Sequence, residues 1–318
     1  MNGALGIRTL GQLSLFLSTA LLASSVVFAS NAAVRSAQSE ADPVSLEAPS
    51  AAEHDSVVHI PSGNPGLKSG SALVIDEQSG TVLYSRNAQS VGPIASITKL
   101  MTALVVLDAS QPMDEMLEIT KADRDTIHGS GSRLAPGTKL SRGDLLHLAL
   151  MSSENRAAHA LGRNYPGGLP AFIAAMNMKA RSLGMKSARF SDPTGLSSQN
   201  VCNAVDLSKL VLAASRNPTI RRFSTDEKHI VTVRKQSMEF RNTNSLVRKA
   251  DWDIEVQKTG YTSDAGQCLV MKTVIESRPT VIVLLNSFGK YTRVADARRV
   301  RKWVERSAAP ARLARNGR

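Results

Sequence analysis

Three short clusters stand in fixed order along the chain: Ser96-Ile97-Thr98-Lys99, then Ser153-Glu154-Asn155, then Lys258-Thr259-Gly260. Each puts a hydroxyl within a few residues of an amine or an amide, the groups an acyl-transfer site needs. A serine hydroxyl is a weak nucleophile and needs a base within hydrogen-bond reach. Lys99 stands three residues after Ser96, which on a helix is the same face one turn on. An ordinary lysine, with a pKa of about 10.4, is protonated at neutral pH and is no base. Burial, a second lysine nearby and the positive end of a helix all push it toward the neutral amine.

These spacings recur elsewhere, at Ser287-Phe288-Gly289-Lys290, Lys68-Ser69-Gly70 and Ser85-Arg86-Asn87. Order and the surrounding elements single out the first set. Ser96 opens the run Leu100, Met101, Ala103, Leu104, Val105, Leu107, apolar at helical spacing, so the hydroxyl is expected at a helix N-terminus. Ser153 follows the apolar stretch Leu145–Met151, read as a helix. Lys258 is expected to end a strand, Trp252 to Gln257. Ser71–Ile75 and Thr81–Ser85 flank a turn cluster and read as a hairpin. Helical patterns then run to about Ser215, with Asp206 expected as the cap of one helix. Strands return at Lys228–Val233, Gln236–Arg241, Leu269–Ile275 and Val281–Asn286, and a helix closes the pattern over Arg293–Arg306. Strands at both ends with helices between predict an α/β fold, one antiparallel sheet sandwiched by helices.

With 318 residues and 42% apolar content the chain can bury a sizeable core. Residues 1–32 read as a signal peptide: Arg8 precedes an apolar run from Leu13 to Ala29, and small residues offer cleavage after Ala29 or Ala32. Export to the periplasm follows. Residues 33–67, rich in Ala, Ser, Glu and Pro, read as a flexible linker, 68–306 as one catalytic domain and 307–318 as a basic tail. A net charge of +12 favours polyanions, but only 4% of residues are aromatic and no base-stacking motif appears, so nucleic acid is not expected. The tail is expected to give only weak attraction to anionic surfaces. Cys202 and Cys268 would meet an oxidising compartment, where a disulfide and two free thiols are both open. The scattered histidines predict no metal, and no cofactor is expected.

The three clusters, with Ser191-Asp192-Pro193-Thr194-Gly195-Leu196 and Asn242-Thr243-Asn244, resemble the low-molecular-mass penicillin-binding proteins, serine D-alanyl-D-alanine peptidases with a β-lactamase-like fold. The resemblance spans about Gly70 to Arg306 and implies that fold, with a helical subdomain. Within the family the chain looks most like the soluble D-alanyl-D-alanine endopeptidases, because Glu154 stands where carboxypeptidases usually carry glycine and Tyr261 follows the Lys-Thr-Gly. The resemblance implies Ser96 as nucleophile, Lys99 as base and Ser153 as proton relay to the leaving amine. Asn155 would hold substrate backbone, Lys258 and Thr259 the carboxylate beside the scissile bond, and Gly260 would let substrate approach the strand. The N–H groups of Ser96 and Tyr261 would form the oxyanion hole. The implied partners are peptidoglycan stem peptides and, as inhibitors, β-lactams. Carboxypeptidase activity is the alternative. A β-lactamase is disfavoured: between Asn155 and Lys258 the only glutamates are Glu227, Glu239 and Glu255, none in a Glu-x-x-x-Asn. A non-catalytic wall-binding protein would not need this full set of reactive side chains.

Overall fold

Apolar runs near both ends of the described residues form the strands of the main sheet, most helices lie between them, and one closes the fold. A computed structural model describes residues 60–316, with side chains through residue 306. The signal-peptide reading and most of the expected linker fall outside these residues. In chain order come β1 (Ser69–Asp76), β2 (Val82–Arg86), β3 (Gly92–Pro93), α1 (Thr98–Asp108), β4 (Met116–Glu118) and β5 (Lys139–Ser141). Then follow α2 (Arg142–Met151), α3 (Asn155–Arg163), α4 (Gly168–Ser182), β6 (Val201–Cys202), α5 (Ala204–Ser215) and α6 (Pro218–Thr225). The chain continues through β7 (Lys228–Val233), β8 (Gln236–Arg241), β9 (Asp253–Thr262), β10 (Gly266–Ile275), β11 (Arg278–Ser287) and α7 (Thr292–Asn316).

The main sheet has the order β2-β1-β11-β10-β9 and is antiparallel throughout. The expected architecture is therefore observed: β1 and β11, from the two ends of the described chain, pair at the centre. Strand periodicity sends alternate residues to opposite faces. Val74, Leu269, Met271, Ile282 and Leu284 pack with Ala297, Val300, Trp303 and Val304 of α7. Leu73, Val270, Val281, Val283 and Leu285 join the other core, with Leu207 and Val211 of α5. Burying each such side chain contributes about 1.5–3 kcal/mol, so α7 is integral to the sheet. From Thr98 to Val106 every residue of α1 is buried. This apolar helix is the central strut between the sheet and the helical subdomain of α2, α3, α4 and α6, and it carries Lys99.

Local details differ from the sequence expectations. Lys258 lies inside β9, because the strand continues through Thr259 and Gly260 to Thr262. Asp206 is not the cap of α5: Asn203 is, its side chain accepting from Asp206 N at 2.8 Å. Asp206 instead accepts from Ser187 N and Lys209 Nζ, each at 2.6 Å. Packing begins ahead of residue 68, since Pro61, Pro65 and Leu67 are buried and Trp303 Nε1 donates to Ser62 O at 2.9 Å. The closing helix runs past Arg306 to Asn316. Cys202 and Cys268 are free thiols. Burial pushes the first up to about 12 and the second up to about 11, so neither is a ready thiolate. No described helix is long and apolar enough to cross a membrane.

Candidate active site

Ser96 sits in a short 3-10 turn, Ala95–Ile97, that leads into α1. The turn is tight: Ala95 has φ +47°, an uncommon region for a residue with a side chain. A loop from Ser191 to Asn200 braces it. Asp192 Oδ1 accepts from Thr194 N at 2.6 Å and Gly195 N at 2.8 Å, while Oδ2 accepts from Ser197 N at 3.0 Å. Asn200 Oδ1 accepts from Ser191 N at 2.6 Å, and Thr102 Oγ1 of α1 donates to Pro193 O at 2.7 Å. Gly195 has φ +81°, and a Cβ there would fall 1.9 Å from Ala95 O. Only glycine lets the loop come this close to the turn that presents Ser96.

The brace aims Thr194 O at Lys99, whose Nζ lies 2.6 Å from it, 2.8 Å from Ser96 Oγ and 2.7 Å from Asn155 Oδ1. A neutral amine has two N–H donors and one lone pair. The carbonyl and the amide oxygen take the donors, and the lone pair is left for the Ser96 hydroxyl proton. Burial lowers the Lys99 pKa from 10.5 to about 7, against Asp192, Glu154 and Asp125, whose charges pull it back up. The neutral amine is thus accessible at neutral pH. Asn155 was expected to hold substrate through both ends of its amide. Here both ends are engaged within the protein, Oδ1 by Lys99 and Nδ2 donating to Ser130 Oγ at 2.9 Å.

The second buried lysine stands on β9, the edge strand of the main sheet. Lys258 Nζ donates to Ser153 Oγ at 2.8 Å and to Thr259 O at 3.0 Å. Burial first, then the charges of Lys99 and Arg293, hold its pKa well below 10.5. Ser153 ends the α2–α3 turn with φ +62°, a second uncommon backbone position at the site. Thr259 Oγ1 lies 2.6 Å from Thr243 Oγ1. Gly260, expected to let substrate approach the strand, also packs closely within the protein. A Cβ there would lie 3.0 Å from Ile94 O and 3.1 Å from Ser96 N, so glycine makes room for the Ser96 turn itself. Tyr261 follows with its ring exposed.

All eight residues expected from the sequence therefore line one region where β9, the Ser96 turn and the α2–α3 turn meet. The sequence reading missed the Thr194 carbonyl, Ser130 and Arg293. Arg293 Nη1 donates to Gly260 O at 2.5 Å and ties the first turn of α7 to β9. The Asp-Pro-Thr-Gly run was a signal for the first, since Asx turns and glycine mark constrained loops. Glu154 caps α3 by accepting from Arg156 N at 3.0 Å, and it accepts from the Ser132 hydroxyl. Beside Ser153 opens a cleft of about 630 Å³, whose lining includes Ser132, Arg133, Glu154, Glu239, Phe240 and Arg241.

Residues 59–289 match the family described as D-alanyl-D-alanine carboxypeptidase. A D-alanyl-D-alanine endopeptidase of Pseudomonas aeruginosa is 52% identical over 241 residues, 75% of this chain and 78% of that protein. One of Escherichia coli is 49% identical over 243 residues, 76% and 78% of the respective chains. Among solved structures, the Streptomyces K15 DD-transpeptidase superposes with a TM-score of 0.71 at 26% identity, covering 76% of this chain and 98% of that one. With a match over most of its length and two hydroxyls gathered with two buried amines at one site, the chain belongs to the D-alanyl-D-alanine carboxypeptidase family and is a serine hydrolase.

Proposed function

We propose that the protein is a D-alanyl-D-alanine endopeptidase that hydrolyses the bond from D-alanine to the D-centre of a cross-linking diamino acid in peptidoglycan. The observation that carries the chemistry is the Lys99 amine, near neutrality and 2.8 Å from Ser96 Oγ. The 52% and 49% identities to D-alanyl-D-alanine endopeptidases favour this branch of the family. Ser96 Oγ attacks the D-alanyl carbonyl carbon while its proton passes to Lys99. The N–H groups of Ser96 and Tyr261 stabilise the oxyanion, each donor contributing about 3 kcal/mol. The carbon–nitrogen bond then breaks, and the leaving amine takes a proton through Ser153. Water hydrolyses the ester, and the proton returns by the same groups. Lys258, Thr259 and Thr243 take the carboxylate beside the scissile bond. That carboxylate restores the charge of Lys258, so substrate binding and protonation of Lys258 are linked. Asn155 and Thr194 position Lys99.

Residues 68–306 are the proposed catalytic domain, joined by the 61–67 segment that packs on α7, and the N-terminal apolar run directs export to the periplasm. β-Lactams would acylate Ser96. The test gives the mature protein a cross-linked dimeric muropeptide and a monomeric pentapeptide side by side. Dimer cleavage that disappears in Ser96→Ala, with little free D-alanine from the monomer, is the expected result. Release of D-alanine from the monomer alone would assign the protein to the carboxypeptidases.

A further inference from the structure

The cleft beside Ser153 lies on the leaving-group side of the site. The carboxylate pocket of Lys258, Thr259 and Thr243 receives the residue that departs, and Thr243 follows Glu239–Arg241 after a single buried residue, Asn242. Thr243 N also donates to Met151 O at the end of α2, tying that segment to the turn that carries Ser153. The leaving residue therefore points its remaining chain into the space between Ser153–Glu154 and the end of β8. At about 630 Å³ that space is in the range of pockets that hold a ligand of several residues' bulk. A departing D-alanine would leave most of it empty; a second stem peptide would not.

The rim charges are arranged for an acidic peptide. The guanidinium of Arg133 stacks 3.8 Å above the Phe240 ring and donates from Nη1 to Glu239 O at 2.7 Å. These contacts fix its plane and use one of its five donors. Among the described residues no carboxylate lies within ion-pair distance of it. Arg241 is held by Glu239 Oε1 at 2.7 Å, and the Glu239 carboxylate is also faced by Lys228 at 3.5 Å. Glu154, which also lines the cleft, is buried and already engaged by Ser132 and Arg156. The open valence of the cleft is positive and planar, the geometry that binds a carboxylate through two parallel hydrogen bonds.

We propose that this cleft binds the leaving stem peptide and that Arg133, seconded by Arg241, takes a free carboxylate of that stem other than the one held by Lys258. This rests on the endopeptidase reading and names its specificity determinant. A stem peptide bears several carboxylates, so cross-linked substrate offers a charge that a single departing D-alanine lacks.

The experiment compares the unmodified protein with Arg133→Met and Arg133→Lys. The substrates are a cross-linked muropeptide dimer with the leaving stem's carboxylates free and the same dimer with those carboxylates amidated, except the one beside the scissile bond that Lys258 holds, which stays free in both. In the unmodified protein amidation is expected to lower kcat/KM about tenfold, as for loss of one hydrogen-bonded charge pair. In Arg133→Met the free-carboxylate dimer falls by a similar factor and amidation costs little more, while Arg133→Lys recovers part of the preference. A full amidation penalty retained in Arg133→Met overturns the inference, as does an unmodified protein that cleaves both dimers equally. An unmodified protein that cleaves neither dimer but releases D-alanine from pentapeptide overturns the endopeptidase reading, and this inference with it.

Discussion

The site takes one buried lysine from each half of the molecule, and the halves position them differently. Lys258 comes from the sheet: it sits at a regular position of β9, in register opposite Val270 of β10, on a strand held along one side by that pairing. Lys99 comes from the helical side, where its surroundings are irregular. Its three partners arrive from the Ser96 turn, the start of α3 and the Thr194 loop, and two of the residues that shape the site, Ala95 and Ser153, hold positive φ. In the proposed reaction the regular half supplies a lysine whose charge answers to the substrate carboxylate. The strained half supplies one held near neutrality before substrate arrives. Backbone strain and close packing thus concentrate around the residue that must react.

The largest effects should separate the two lysines. Lys99→Met is expected to slow acylation of Ser96 by a labelled β-lactam by about 10³-fold or more, since it removes the base. Lys258→Met should cost about 100-fold in kcat/KM for carboxylate-bearing substrates, by leaving that carboxylate without its charge partner. Equal losses of acylation in the two variants would erase the distinction. The base also sets a pH dependence. Only unprotonated Lys99 can accept the Ser96 proton, so acylation should rise with pH through about 7 and level off above it. Stability follows the same group. Lys99 has a folded pKa of about 7 against 10.5 as the reference for the unfolded chain. Between those values the unfolded state binds more protons, so this group makes stability increase with pH. Lys99→Met should therefore unfold at higher urea than the parent at pH 7, with the gap closing as pH approaches 10.

Two glycines compare the halves at a smaller scale. Gly195→Ala asks for a Cβ 1.9 Å from Ala95 O and 2.8 Å from Thr98 Oγ1, at φ +81°. It should lower stability by about 3 kcal/mol, read by urea unfolding. Gly260→Ala meets Ile94 O at 3.0 Å and Ser96 N at 3.1 Å, and its backbone conformation is ordinary. Its cost should appear chiefly in Ser96 acylation, about tenfold, as the turn is displaced by a few tenths of an ångström. A Gly260→Ala protein that acylates at the parent rate would show that β9 does not set the position of the nucleophile.

The same contrast explains what the sequence made legible. β10 and β11 follow from short apolar runs rich in branched residues and buried on both faces, and α1 from a longer apolar run. Ser96, Lys99, Ser153 and Lys258 were recognisable because each stands within a short cluster whose order and spacing are read directly from the sequence. The Thr194 carbonyl could not be read that way, because a backbone oxygen has no letter. Its role depends on Asp192 and Asn200 folding a loop that meets Lys99 nearly a hundred residues away in sequence. Asp206 was mistaken for a cap because Asn and Asp both serve there, and only the backbone shows that Asn203 precedes the first turn. Asn155 looked free to bind substrate because its neighbours in space, Lys99 and Ser130, are distant in sequence.

The smallest predicted effect concerns Glu154, the residue that sequence alone marked as unusual. Its carboxylate is one of three that draw the Lys99 pKa upward, after Asp192 and ahead of Asp125. Glu154→Gln removes that charge while keeping the side chain's length, although an amide has one oxygen to share between Ser132 and Arg156 N, where the carboxylate has two. The acid limb of Ser96 acylation should therefore move below its parent position near 7, by about half a unit, roughly 0.7 kcal/mol of differential interaction. The direction follows from sign alone: a negative charge lost beside a lysine makes the proton easier to remove. A limb that moves upward would mean that the loosened Ser132 loop admits water to Lys99 and that solvation, not the carboxylate, controls it. A limb that stays in place would show that Glu154 serves α3 and the Ser132 loop alone. The poise of the irregular half would then rest on burial and the Asp192 loop, with no contribution from the residue that distinguishes this Ser-x-Asn cluster.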